Sequence, residues 1–421
     1  MLENRWKIPP EMALYLILIA AVSLGNGLSD SVYSNYFKEV YNVTAQQRGF
    51  IEFPRELPGV LCVITVAALS SLGNIRLSII SQILAFSGLL VLGLLTPSFS
   101  VMLIFLFINS MGMHLSMPVL DSLGLSLAEP DKVGRRMGQY ASVRSVFGFA
   151  AALVVFFGFR LNWLRFDTDV KWVFIIGCAF FLIALTAAVV MLIVVKPPRA
   201  PQKKLNFVFR KEYKYYYLLT ILHGVQKQIA YVYGTWVVVD LLLKKADTVA
   251  LLSIASTFIC IFFMNFLGRW IDRLGIKKML FVEALAFIGV YTVYGFTVWG
   301  ITGQWFSHVN VPMIIVYALF VLDRLSMQLG IVRTVYLRSI ALRDTDITAT
   351  LSMGTSLDHV VSILAAYAGG IIWTVWGSQW VFFMAAAFSL GNLIVAILVK
   401  PDKERKQALA YRAAAEKTEQ S

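Results

Sequence analysis

Asp30, Glu52, Arg55, Glu56, His114, Asp121, Arg144, His223, Lys227, Asp323, Arg324, Arg333, Asp358 and His359 stand inside long apolar stretches of a 421-residue chain. An ionised side chain at the centre of a bilayer costs about 2.5–3.5 kcal/mol on insertion scales, so a set this large is tolerable only where the groups face water or one another. Carboxylates and histidines in a half-dry cavity can take up and release protons. Lys227, Arg324 and Arg55 suit an anionic or zwitterionic solute. Both chemistries belong to a polar pathway through an apolar body.

Spacing groups these residues. Glu52, Arg55 and Glu56 fall at i, i+3 and i+4, on one helix face, with Pro54 and Pro58 among them. They read either as part of the pathway or as a locking ion-pair cluster that Asp30 can join. His114 and Asp121 are seven apart, nearly on one face, with Met117 and Pro118 between. Asp323 and Arg324 are adjacent, so they point about 100° apart and are expected to serve different partners. Arg144, and Asp358 with His359, lie near the inner ends of two corresponding helices and read as an inner gate or as static salt bridges.

The elements holding these groups follow from composition. The chain is 58% hydrophobic and 14% charged, against about 45–50% and about 25% in soluble domains. Apolar blocks lie near residues 11–37, 49–70, 77–95, 99–127, 138–159, 172–195, 213–240, 248–267, 279–300, 312–337, 350–376 and 380–399. Each is long enough to cross about 30 Å of hydrocarbon as a helix. Backbone groups in lipid must pair internally, which predicts an all-α membrane protein of twelve transmembrane helices. With the N-terminus inside, the inner loops hold about three Lys or Arg for each one outside, which predicts cytoplasmic termini and a multi-pass protein of the cell (inner) membrane. That bias accounts for the net charge of +13 without nucleic acid. Cys62, Cys178 and Cys260 offer neither a disulfide framework nor metal-ligand spacing, and no cofactor is expected.

The chain is also written twice. Trp172-Val173-Phe174 and Trp380-Val381-Phe382 open the sixth and twelfth spans, and Met137-Gly138 matches Met353-Gly354. Ser23, Asn26, Asp30 and Ser34 share their spacing with Thr220, His223, Lys227 and Tyr231, each pair 197 residues apart. Asp30 and Lys227 are thereby equivalent. The expected organisation is two pseudo-symmetric six-helix bundles, 1–195 and 213–399, with a basic linker at 196–212 and a charged tail at 400–421.

Gly268-Arg269-Trp270-Ile271-Asp272-Arg273-Leu274-Gly275-Ile276-Lys277-Lys278 follows the eighth span. Gly275 permits a tight turn, Gly268 is expected to let helices approach closely, and Asp272 can pair with a cation or a helix N-terminus. Such a clasp would hold one conformation and release in another, assigning gating to Gly268, Asp272, Arg273, Gly275, Lys277 and Lys278. The segment resembles the G-x-x-x-D-R-x-G-x-K-K pattern of the major facilitator superfamily, and twelve spans in two repeats are similar to that family from residue 1 to about 399. The resemblance implies that the first, fourth, seventh and tenth helices line a central cavity. Asp30 with Asn26, His114, His223, Lys227, Asp323 and Arg324 then become the candidates for solute or proton contact. The first-half counterpart, Ser70-Ser71-Leu72-Gly73-Asn74-Ile75-Arg76, lacks the acid and the first arginine. The Gly-Pro pair of drug–proton antiporters is absent from the fifth span.

These readings converge on a monomeric secondary transporter that moves a small solute by alternating access, coupled to protons or another ion. Efflux of drugs or metal ions, and a non-transporting assembly protein of the same fold, are the alternatives. No H-E-x-x-H, G-x-S-x-G or phosphate-binding loop supports an enzyme.

Overall fold

The computed structural model describes residues 9–128, 133–194, 210–305 and 310–419, and nearly all of them are helical. Most of the expected linker at 196–212, and the last two residues of the tail, lie outside the described residues. The helices are α1 (Pro10–Asp30), α2 (Tyr33–Tyr41), α3 (Ala45–Ala68), α4 (Asn74–Leu94), α5 (Phe99–Leu127), α6 (Val133–Arg160) and α7 (Trp172–Val194). They continue as α8 (Lys214–Gln228), α9 (Ala246–Thr302), α10 (Val311–Gln328), α11 (Ile331–Ile340), α12 (Asp344–Val375), α13 (Ser378–Leu398) and α14 (Pro401–Glu419). Among the described residues, ten helical stretches are long and apolar enough to cross a membrane. The second and seventh expected spans are helical but fall outside that set for physical reasons. α3 carries Arg48, Glu52, Arg55 and Glu56 with two internal prolines, and α8 is 15 residues long before its geometry changes.

That change is a pair of π-helical stretches, Ile229–Gly234 and Val237–Leu241. Wide turns of this kind are rare and concentrate at functional sites. α1 also stops at Asp30, and the chain resumes as α2 at Tyr33. The breaks therefore fall beside Asp30 and Lys227, the two residues that the sequence repeat is expected to make equivalent.

Two compact units form. One comprises Met1–Asn42, Pro54–Lys204 and Lys245–Ile254; the other comprises Val43–Phe53, Leu205–Lys244 and Ala255–Ser421. In the first unit α4 packs on α5, and α1 on α6 and α7. Small residues set the α4–α5 distance: a Cβ at Gly88 would strike the backbone of Phe105 and Asn109, and one at Gly112 that of Ser81 and Ala85. Close backbone approach lets apolar helices gain dispersion contacts without a hydrophobic drive between them. Asn109 locks the crossing, donating from Nδ2 to the Ala85 carbonyl at 2.8 Å and accepting from the Tyr33 hydroxyl at 2.9 Å.

In the second unit α8 packs on α12 and α13. Gln226 Nε2 on α8 donates to Ser389 Oγ at 2.9 Å and to Asn392 Oδ1 at 3.0 Å on α13. Tyr294 stacks flat on Phe382 with centroids 4.3 Å apart. α9 runs through the expected loop between the eighth and ninth spans, interrupted at Gly275, where φ is +77°. The Gly275 expectation holds, because L side chains rarely adopt that conformation. The expectation for Gly268 does not: a Cβ there would meet nothing within 4 Å among the described residues.

Candidate functional site

The second unit builds its polar centre where α8 crosses α12. Glycines allow the approach: a Cβ at Gly224 would lie 3.2 Å from the Asp358 carbonyl oxygen, and one at Gly354 2.5 Å from the Tyr216 hydroxyl. Lys227 Nζ then donates to Asp358 Oδ2 at 2.5 Å, with 22% and 17% of the side chains exposed. A cavity of about 250 Å³ opens along this crossing, lined by Tyr216, Thr220, His223, Arg333, Thr334, Thr355 and Asp358, with Leu351 and Gly354. Arg333 reaches it from the first turn of α11, donating from Nε to the Gly330 carbonyl at 3.3 Å and from Nη1 to that of Leu219 at 3.4 Å. His223 Nδ1 is buried without a hydrogen-bond partner among the described residues. His359 follows Asp358 on α12 and is half-buried. The void is lined by one carboxylate, an arginine and an imidazole, with Lys227 held on that carboxylate. Such a set can accept an anionic group and pass a proton between the acid and its neighbours.

Asp323 and Arg324 diverge, as adjacent helical residues must. Asp323 is buried, accepts from the Tyr291 hydroxyl at 3.1 Å on Oδ1, and leaves Oδ2 without a hydrogen bond among the described residues. The Arg324 guanidinium lies 3.6 Å over the Tyr231 ring and 5.0 Å from that of Phe320, and donates from Nη2 to Thr235 Oγ1 at 3.4 Å. Tyr231 comes from the first π-helical stretch, so the wide turns position the platform on which this cation rests.

Of the expected cluster of Glu52, Arg55 and Glu56, the first two have ionic partners beyond the trio. Glu52 belongs to the second unit and pairs with Arg48 at 2.5 Å, both side chains 2% exposed. In the same unit the Tyr233 hydroxyl donates to the Ala366 carbonyl, and that carbonyl sits against Gly49. Arg55 belongs to the first unit, 3.4 Å from Asp30 Oδ1 and 5.3 Å above the Tyr33 ring. An i to i+4 spacing also runs backwards from Glu52 to Arg48.

In the first unit His114 turns to its own helix, with Nδ1 2.9 Å from the Ser110 carbonyl and 3.1 Å from Ser110 Oγ. Ser110 Oγ in turn donates to the Arg55 carbonyl at 2.5 Å. Glu56 offers a carboxylate oxygen within 4.8 Å of a His114 ring nitrogen. Asp121 pairs with Arg144 at 2.7 Å across α5 and α6, so its partner is not His114. Asn26 Oδ1 is buried with no hydrogen bond among the described residues. Arg144 and Asp358, both read as gating residues, thus each hold an ion pair inside their own unit. Asp272, Arg273 and Lys278 are exposed, and Lys277 Nζ donates to the Ile397 carbonyl at 3.1 Å. Asp272 makes no ion pair among the described residues.

Arg48 and Glu283 are among the buried charged residues that escape the spacing argument. Arg48 reads as an outer-loop residue yet is buried. Glu283 on α9 is 0% exposed, and neither oxygen has a hydrogen bond among the described residues. An acid in an otherwise apolar span was the available signal.

The sequence matches the family described as Major Facilitator Superfamily over residues 15–341. The fold is similar to a mutant of the nucleoside transporter NupG, with a TM-score of 0.73 and 13% identity over 93% of this chain and 100% of that one. It is also similar to a D-xylose-proton symporter (TM-score 0.68, 14% identity, 93% and 98% covered). A third likeness is a bacterial homologue of the iron transporter ferroportin in an inward-facing state (TM-score 0.69, 12% identity, 92% and 98% covered). At such identities the likeness is one of fold. Proteins of curated function give no significant match.

Proposed function

The chain belongs to the major facilitator superfamily, and from that premise we propose that it is a proton-coupled secondary transporter carrying a small solute by alternating access. Family and fold support a multi-span membrane transporter rather than an enzyme. The finer reading is of a monomer with twelve passes and cytoplasmic termini in the cell membrane, in which the two six-helix halves rock about the solute.

The Lys227–Asp358 pair, whose carboxylate lines the α8–α12 cavity, carries this proposal. While Asp358 is ionised it holds Lys227. Once Asp358 takes a proton, Lys227 is released to bind an anionic group of the solute, beside Arg333 and His223. Proton and solute then bind one side of the same switch. A ligand shifts a two-state protein only by its difference in affinity for the two states, and a shared cation supplies that difference. The D-xylose-proton symporter has a similar fold, which makes proton coupling compatible with this scaffold.

The test begins with a thermal-shift screen of carboxylates, amino acids, peptides, nucleosides and sugars on purified protein. Solutes that stabilise it are then followed in proteoliposomes with and without a pH gradient. Accumulation driven by the gradient is expected for the wild type and not for Asp358→Asn. Stabilising solutes that equilibrate indifferently to the gradient would rule out proton coupling.

A further inference from the structure

The tail does not leave the body of the second unit. On α14, Ala408 is 2% exposed, and Glu404 Oε2 accepts from the Tyr336 hydroxyl at 2.8 Å. Arg412 donates to the Ala341 carbonyl from Nε at 2.9 Å and from Nη2 at 2.7 Å. These contacts hold α14 against α11 and enclose a cavity of about 360 Å³. Its wall gathers Arg338 from α11, Arg405 and Arg412 from α14, and the Ser339 side chain; Ile276 and Leu409 supply apolar surface. No carboxylate lines it, and Arg338 and Arg405 are exposed with no ion pair among the described residues.

Arg338, Arg405 and Arg412 line one void with no acid among its lining residues, a positive wall that an anion would offset. Their planar forks match the oxygens of a phosphate better than those of a halide or a lone carbonyl. The volume lies at the lower end of the range for small-molecule pockets, enough for a phosphate group and a short substituent. The cavity lies at the end of the apolar stretch Val311–Ile340, and basic pockets at the ends of membrane-spanning helices bind anionic headgroups. We infer that the cavity between α11 and α14 is a binding site for a phosphate-bearing anion, held by Arg338, Arg405 and Arg412 and separate from the α8–α12 cavity. The ligand chemistry is shared by an anionic phospholipid headgroup and by a free phosphate ester. Occupancy would pin the tail to the body, so the site also fits control of the transporter by its lipid or phosphate surroundings.

The experiment measures thermal unfolding of the full chain in three settings: nanodiscs of phosphatidylcholine alone, nanodiscs with added phosphatidylglycerol, and detergent with inorganic phosphate. The variants are Arg338→Ala/Arg405→Ala and, as a control on the same face of charge but outside the cavity, Lys403→Ala/Lys406→Ala. Both pairs are exposed, so folding is expected to survive. The wild type and the lysine variant are expected to gain thermal stability with phosphatidylglycerol, with phosphate, or with both, and the arginine variant to lose most of that gain. Response to phosphatidylglycerol alone assigns a lipid headgroup; response to inorganic phosphate assigns a soluble ester. An absence of stabilisation in every setting, or equal stabilisation of both variants, overturns the site.

Discussion

Lys227 and Asp358, 131 residues apart in the chain, meet at 2.5 Å where α8 crosses α12. Each side chain keeps about a fifth of its surface exposed, so the pair is neither a surface ornament nor sealed in the core. Removing one partner of a largely buried pair leaves the other charge uncompensated, at about 3–5 kcal/mol. Lys227→Met or Asp358→Leu alone is expected to lower stability by about 3 kcal/mol, less any water that reaches the orphan from the cavity. The double variant should recover at least half of that. Thermal unfolding of the four proteins in one detergent measures the coupling, and strictly additive losses would show that the pair is not the unit described here.

Helix approach in the first unit depends on two hydrogen atoms. Gly112→Ala places a methyl group against the Ser81 and Ala85 backbone, and overpacking of this kind costs about 1–3 kcal/mol. Gly148→Ala meets nothing within 4 Å and is expected to be neutral. Matched melting curves for the two variants compare them directly.

Within the family-like segment, the two glycines should behave oppositely. Gly275 sits at φ +77° and ψ 164°, a region nearly reserved for glycine, so Gly275→Ala is expected to cost about 1–3 kcal/mol even though the added methyl has room. Gly268→Ala fills open space on a helix and should be neutral or stabilising by up to about 1 kcal/mol. Equal effects from both would contradict the assignment of the turn to Gly275 alone.

Outside the apolar spans, Arg165 donates from Nε to Asp167 Oδ1 at 2.8 Å and from Nη2 to Oδ2. This hydrogen bonding holds the Asp167 carboxyl below its ordinary range. A lowered acid contributes stability above its unfolded pKa and loses it as pH falls through the folded one. Asp167→Asn is therefore expected to lower the neutral plateau slightly and to leave stability at the acid end in place, which flattens the acid limb. The effect is small because the pair is exposed; an unchanged acid limb would remove it from the account.

Helix content was legible because apolar blocks of spanning length leave no other structure to adopt. The breaks were less so. A polar stripe of spacing three, four and four reads alike whether its last turn is α or π, so Lys227 and Tyr231 gave no hint that α8 changes geometry after Gln228. Ionic partners were the least legible. Their positions in the sequence put Asp358 with gating and Lys227 with the pathway, because the crossing that joins them depends on Gly224 and Gly354, tertiary facts with no local signature. Asp323 and Arg324 are the converse case: their divergence follows from 100° per residue, and the structure shows it.

The most direct measurement of the central claim is transport by Lys227→Ala and Asp358→Asn in proteoliposomes, using a solute found by thermal shift, in two modes. One mode is accumulation driven by a pH gradient; the other is exchange of solute across the membrane without a gradient. Asp358→Asn should retain exchange and lose driven accumulation, while Lys227→Ala should lose driven accumulation and bind the solute at least about tenfold more weakly, or ~1.4 kcal/mol. Wild-type accumulation in both variants, with unaltered affinity, would contradict the account.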